Sequence, residues 1–180
     1  MIYQENKIVI FDWGGIVESH REGEYNCNQV TINIIKKLNP NIKENEIIEK
    51  WKECSCDENG RNIGTYKDIE NVEDWYKRIK NKFDLTCNFR AFIEIYRKEY
   101  AKIYFYKDVV ELEHKTKQKC KIGIFSNLTL LDKERINAQI NLDKFDYVWL
   151  SFEMGERKPN QRIYEKYRMN VECPPKIFCL

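Results

Sequence analysis

At 180 residues the chain suits one core with an inserted subdomain and is too short for two full-sized independent domains. Its 31 Lys and Arg against 29 Asp and Glu leave a formal net charge of +2, which excludes an electrostatic case for nucleic acid or an anionic membrane as the main partner. A hydrophobic fraction of 42% is enough for a buried core, and a charged fraction of 33% suits a well-solvated surface.

The N-terminal MIYQENKIVIFDWGG has neither the basic start nor the long apolar stretch of a secretory signal. No window approaches the roughly 20 apolar residues of a membrane span, so a cytoplasmic protein is expected. The seven cysteines, at 27, 54, 56, 87, 120, 173 and 179, are odd in number and scattered. In a reducing compartment they read as small core hydrophobes or exposed thiols. Cys54 and Cys56 could offer two thiolates to a metal, but no second pair follows at finger-like spacing.

In chain order, the first element is an apolar run, Lys7 to Phe11, continuous rather than alternating, as in a buried parallel strand. More than a hundred residues follow with helical periodicity instead. Val30, Ile34, Ile35 and Leu38 make a stripe stopped at Asn39-Pro40. Ile47, Trp51 and Cys54 make a second, running into an Asn59-Gly60 turn. Thr65 with Asp68 resembles a capping box opening a third helix, with its stripe at Val72, Trp75, Tyr76, Ile79 and Phe83. Phe89, Phe92, Ile93, Tyr96, Tyr100 and Ile103 form a fourth. Such aromatic stripes are more often packed core than ligand box, and the mixed basic and aromatic run 97–102 reads as a solvated helix face. Strand-like runs return at Lys121 to Phe125, Tyr147 to Leu150 and Lys176 to Leu180, separated by helical patterns, the arrangement that connects parallel strands.

The fold expected is α/β: a Rossmann-like parallel sheet interrupted after its first strand by an α-helical insertion. The boundaries are 1–17 and 105–180 for the core and 18–104 for the insertion. Ligands of open parallel sheets bind at the carboxyl ends of the strands. That rule selects Asp12 with Gly14 and Gly15, then Ser126 with Asn127, then the segment from Ser151 to Pro159 that carries Lys158. Singly, Asp12 could be a capping acid at a Gly-Gly turn and Ser126 an N-cap. Lys158 could be a surface charge before a helix whose second residue is Pro159.

Together these segments resemble the motifs of the haloacid dehalogenase (HAD) superfamily of aspartate-nucleophile hydrolases. IVIFDWGGIVES is similar to motif I, with a Gly14-Gly15 form found in one subgroup. IGIFSN is similar to motif II, and SFEMGERKPNQRIY fits the pattern S-x-E-x-G-x-x-K-P-x-x-x-I-Y around motif III. Their order and spacing fit the branch whose helical cap lies between motifs I and II, and the resemblance spans about Ile8 to Leu180.

The resemblance implies a phosphatase of small phosphorylated metabolites working through an aspartyl-phosphate. Asp12 would be the nucleophile, and Lys158 would balance its charge. Ser126, Asn127 and Gly15 would hold the phosphoryl group. Asp12 and the Gly14 carbonyl would bind Mg²⁺, and the cap would choose the substrate. The family's second motif I aspartate, a proton donor, is replaced by Gly14; Glu18, His20 or a cap residue would have to stand in. The strand at Lys176 resembles the one leading to motif IV, and the sequence ends before that motif's acidic residues. Two other readings follow from the same departures: a catalytically silent HAD-like binding or interaction protein, and a metal-independent 2-haloacid dehalogenase.

Overall fold

The structure, a computed structural model, describes residues 7–18, 26–103, 106, 111, 115–117, 120–169 and 176–179. Its sheet is built on β1 (Lys7–Phe11), which pairs in parallel with β2 (Lys121–Ser126) on one side and β4 (Lys176–Cys179) on the other. A third parallel strand, β3 (Tyr147–Leu150), pairs with β2, giving the order β3-β2-β1-β4 among the described residues. The expected fourth strand is present as Lys176–Cys179; Leu180 lies outside the described residues.

The apolar runs are continuous because both sheet faces are covered. Successive side chains alternate between two cores, as a pleated strand requires. Ile8 and Ile10 pack with Phe125, Trp149, Ile163 and Tyr167, whereas Phe11 packs with Ile122, Ile124 and Leu150 on the other face. Gly123 marks the tightest spot: a Cβ there would lie 2.9 Å from Cζ3 of Trp149. The strand keeps a glycine so that this indole can lie across it.

Between β1 and β2 run α1 (Cys27–Leu38), α2 (Glu44–Glu53), a short 3₁₀ turn (Ile63–Thr65), α3 (Ile69–Lys82) and α4 (Phe89–Tyr100). The residues expected as stripes form one buried cluster, including Val30, Ile34, Ile47, Trp75, Phe92 and Tyr96. Its rings meet edge to face: Trp51 on Trp75 at 5.4 Å and 88°, Trp75 on Tyr96 at 6.0 Å and 89°. Side chains of Asn26, Asp68 and Asn88 cap α1, α3 and α4 by accepting from backbone amides of the first turn.

Two local expectations are corrected. Thr65 is not part of a capping box; its hydroxyl donates to the Asn62 carbonyl at 2.7 Å inside the 3₁₀ turn, and Asp68 alone caps α3. The reason is Tyr66, which is fully buried and holds the chain extended between the turn and the helix. Pro159 is not in a helix: α7 (Gln161–Met169) starts two residues later. Between β2 and β3 lies α5 (Leu130–Gln139), and a single turn, α6 (Ser151–Met154), follows β3 and ends at Gly155 with φ +66°. No described helix is long and apolar enough to cross a membrane.

Candidate active site

Asp12, Ser126 and Lys158 are far apart in sequence and meet at the carboxyl end of the sheet. Asp12 stands directly after β1, and Ser126 is the last residue of β2, so the parallel β1–β2 register sets them side by side. The Ser126 hydroxyl donates to Asp12 Oδ1 at 2.7 Å, and the Trp13 amide donates to the same oxygen at 2.7 Å. Lys158 Nζ donates to Asp12 Oδ2 at 2.6 Å.

The lysine is held from three directions. Nζ also donates to the Phe125 carbonyl at 2.9 Å and lies 5.3 Å from the centre of the Phe125 ring. Its backbone is clamped by Asn127, whose Oδ1 accepts from the Lys158 amide at 2.8 Å while its Nδ2 donates to the Lys158 carbonyl at 3.0 Å. Asn127 therefore spends its side chain on placing Lys158. Ser126 is not an N-cap: α5 is capped by Thr129, whose amide and hydroxyl both donate to Asp132 at 2.9 and 2.7 Å.

Gly14 lines the cleft above Asp12, but Gly15 does not. Gly15 takes φ +81°, and its amide donates to the Glu18 carbonyl at 2.8 Å. That amide is committed to closing the loop, so the phosphoryl-binding role expected for Gly15 finds no support. Glu18 is also not a free acid. It is buried, with Oε2 accepting from Trp13 Nε1 at 2.8 Å and from Arg135 at 2.8 Å. Arg135 reaches Asp132 at 3.4 Å as well, so two carboxylates share one buried guanidinium behind the cleft. His20 lies outside the described residues.

The cleft has a volume of about 260 Å³. Asp12, Ser126 and Asn127 form its floor, and Trp51, Ile63, Trp75, Tyr96 and Tyr100 of the helical insertion contribute to its walls. Cys27 also lines it, yet its thiol is pushed up to about 12, first by burial and then by the charges of Glu18 and Asp132. It stays protonated near neutral pH and is not a nucleophile there. Burial likewise raises the phenols of Tyr96 and Tyr100, which remain neutral. Ser151, expected only as part of a strand end, sits fully buried with Oγ 2.6 Å from the Gly64 carbonyl and accepts from the Leu128 amide at 3.1 Å. It joins the insertion's 3₁₀ turn to the core beside the cleft.

The aromatic walls and the Glu18–Arg135–Asp132 group were not anticipated as site features. For the second, one signal was legible: Thr129-x-x-Asp132 is a capping-box spacing directly after Ser126-Asn127. No protein-family model and no curated protein matches the sequence. Solved structures do resemble it. The HAD family enzyme bt-2542 from Bacteroides thetaiotaomicron, in complex with magnesium and inorganic phosphate, superimposes with a TM-score of 0.70 at 16% identity, over 97% of this chain and 83% of that one. A predicted HAD-like family hydrolase from Porphyromonas gingivalis gives 0.68 at 15% identity, over 97% and 80%. The L-2-haloacid dehalogenase from Xanthobacter autotrophicus gives 0.61 at 18% identity, over 99% and 69%. The chain has the fold of the HAD superfamily of hydrolases.

Proposed function

We propose that the chain hydrolyses phosphate monoesters of small metabolites through Asp12, with the helical unit 18–104 acting as the cap over the substrate. The observation that carries this reading is the Asp12 carboxylate held between the Ser126 hydroxyl and the Lys158 ammonium on the floor of a cleft. Asp12 Oδ1 accepts two hydrogen bonds, whereas Oδ2 accepts only that of Lys158 among the described residues, leaving a lone pair on Oδ2 for attack.

In this scheme Oδ2 forms a bond to phosphorus as the ester P–O bond breaks, and the alcohol leaves with a proton taken from water. A second water then attacks the phosphorus of the acyl phosphate, restoring the carboxylate and releasing inorganic phosphate. Lys158 keeps one N–H beyond those given to Asp12 and Phe125, and that donor can follow charge onto a phosphoryl oxygen. Gly14 has no side chain to protonate the leaving group, and Glu18 is locked to Arg135, so leaving-group protonation falls to solvent. Esters of more acidic alcohols should therefore turn over faster.

Asp12 and the Gly14 carbonyl are hard oxygen donors of the kind that hold Mg²⁺ together with substrate phosphate and water, Asp12 through a lone pair of Oδ1 that would be freed as the Ser126 hydroxyl turns to the phosphoryl group. Among the described residues no group of three His, Cys, Asp or Glu converges, so phosphate would be an integral part of that site. When bound, the cation would neutralise phosphoryl charge.

The test is hydrolysis of a panel of phosphate esters with and without Mg²⁺, by this chain and by Asp12→Asn. Metal-dependent turnover that falls at least about 10³-fold in the variant is expected. Equal activity in the two proteins would overturn the reading, and binding without turnover would leave a silent HAD-like binding protein. The apolar wall over Asp12 favours one further reading, displacement of halide from a 2-haloacid by the same carboxylate. Halide release without metal, absent in Asp12→Asn, would establish it.

A further inference from the structure

The phosphatase reading leaves open which alcohol is esterified, and the walls of the cleft bear on that. Beyond its floor, the cleft is lined by Trp51, Ile63, Trp75, Tyr96, Tyr100 and Leu128. Among the described residues, the other ionisable groups of the lining are Glu18, Asp132 and Cys27, and no Lys or Arg is among them. Glu18 and Asp132 already face Arg135, and the Cys27 thiol is protonated. A second anionic group on the substrate would meet these carboxylates and, among the described lining residues, no cation of its own. A polyhydroxylated one would leave most of its hydroxyls against ring carbons.

The rings are also fixed before any ligand arrives. Trp75 is almost fully buried, with Trp51, Phe92 and Tyr96 against it at centroid distances of 5.4, 5.7 and 6.0 Å. Such packing leaves little ordering to be done on binding. Nε1 of Trp75 is closed off from the cleft, so what this ring offers a ligand is carbon. The volume of about 260 Å³ lies below the roughly 300–1,000 Å³ typical of sites for drug-sized ligands, so the group admitted is small.

We infer that the substrate is a small phosphate monoester of an uncharged, flat, apolar alcohol, about one ring in size. The inference rests on the phosphatase reading, since Asp12, Ser126 and Lys158 must hold the phosphoryl end for the alcohol to lie against these rings.

The experiment uses the full chain with Mg²⁺ and four esters of primary alcohols, so that intrinsic reactivity varies little. These are benzyl phosphate, pyridin-3-ylmethyl phosphate, glycerol 1-phosphate and phosphoglycolate. In parallel, calorimetry measures binding of benzylphosphonate and of 2,3-dihydroxypropylphosphonate. The ring esters should exceed the other two by at least about tenfold in kcat/KM, and benzylphosphonate should bind more tightly by a similar factor. Ile63→Lys, on the half-buried 3₁₀ turn, should shift preference toward phosphoglycolate. Equal or better use of the polar esters, with turnover still lost in Asp12→Asn, overturns the inference and leaves the phosphatase reading standing. Tighter binding of benzylphosphonate without turnover of any ester supports the apolar ligand class and sinks the phosphatase reading instead.

Discussion

Asp12 is the residue on which every reading turns, and its neighbours fix both oxygens of its carboxylate. Its charge is met by one ammonium, and that ammonium is placed by a carbonyl, a ring and the Asn127 clamp rather than by chance of a flexible stem. Cys27 shows the opposite treatment. Burial and two nearby carboxylates lift its thiol from an ordinary 9.0 to about 12, so the folded state holds that proton more tightly than the unfolded chain does. Its contribution to stability is fully present below pH 9 and declines as pH rises from there toward 12. Thermal melts across this range should show a steep alkaline loss that is shallower in Cys27→Ala. Iodoacetamide at pH 8 should modify the exposed Cys56 well before Cys27, as read by peptide mass spectrometry.

At the scale of elements, the sheet is the rigid base of the site, and its tolerance for change is narrow. Gly123 on β2 faces the Trp149 ring of β3, which itself stacks on Tyr147 at 4.9 Å. Gly123→Ala would push a methyl into that ring. Overpacking of this kind costs about 1–3 kcal/mol, to be read as a lowered urea midpoint with an unchanged slope. Because β2 ends in Ser126, the same substitution should also weaken turnover if the strand shifts to make room.

Across the whole molecule, the buried Glu18–Arg135–Asp132 group ties together three parts of the chain. Glu18 lies on the loop after β1, Arg135 and Asp132 on α5, and Cys27 of α1 comes within 3.7 Å of Glu18. Arg135→Met would leave Glu18 buried without its cation, at a cost of about 3–5 kcal/mol, measured by denaturant unfolding. Arg135→Met with Glu18→Gln should recover part of that loss. Much of this architecture is legible in the sequence. The β strands, the helical stripes of the insertion and the order of Asp12, Ser126 and Lys158 all follow from local periodicity and strand ends. Spacing along one element carries the identity of its buried face. It does not carry which faces meet: Glu18 and Arg135 lie 117 residues apart, and Trp51 and Tyr100 reach the cleft from different helices. Nor did spacing disclose that the Gly15 amide is used within its own loop, or that Tyr66 moves the cap of α3 to Asp68. Those outcomes depend on the packing of distant elements against one another, and only the tertiary structure decides them.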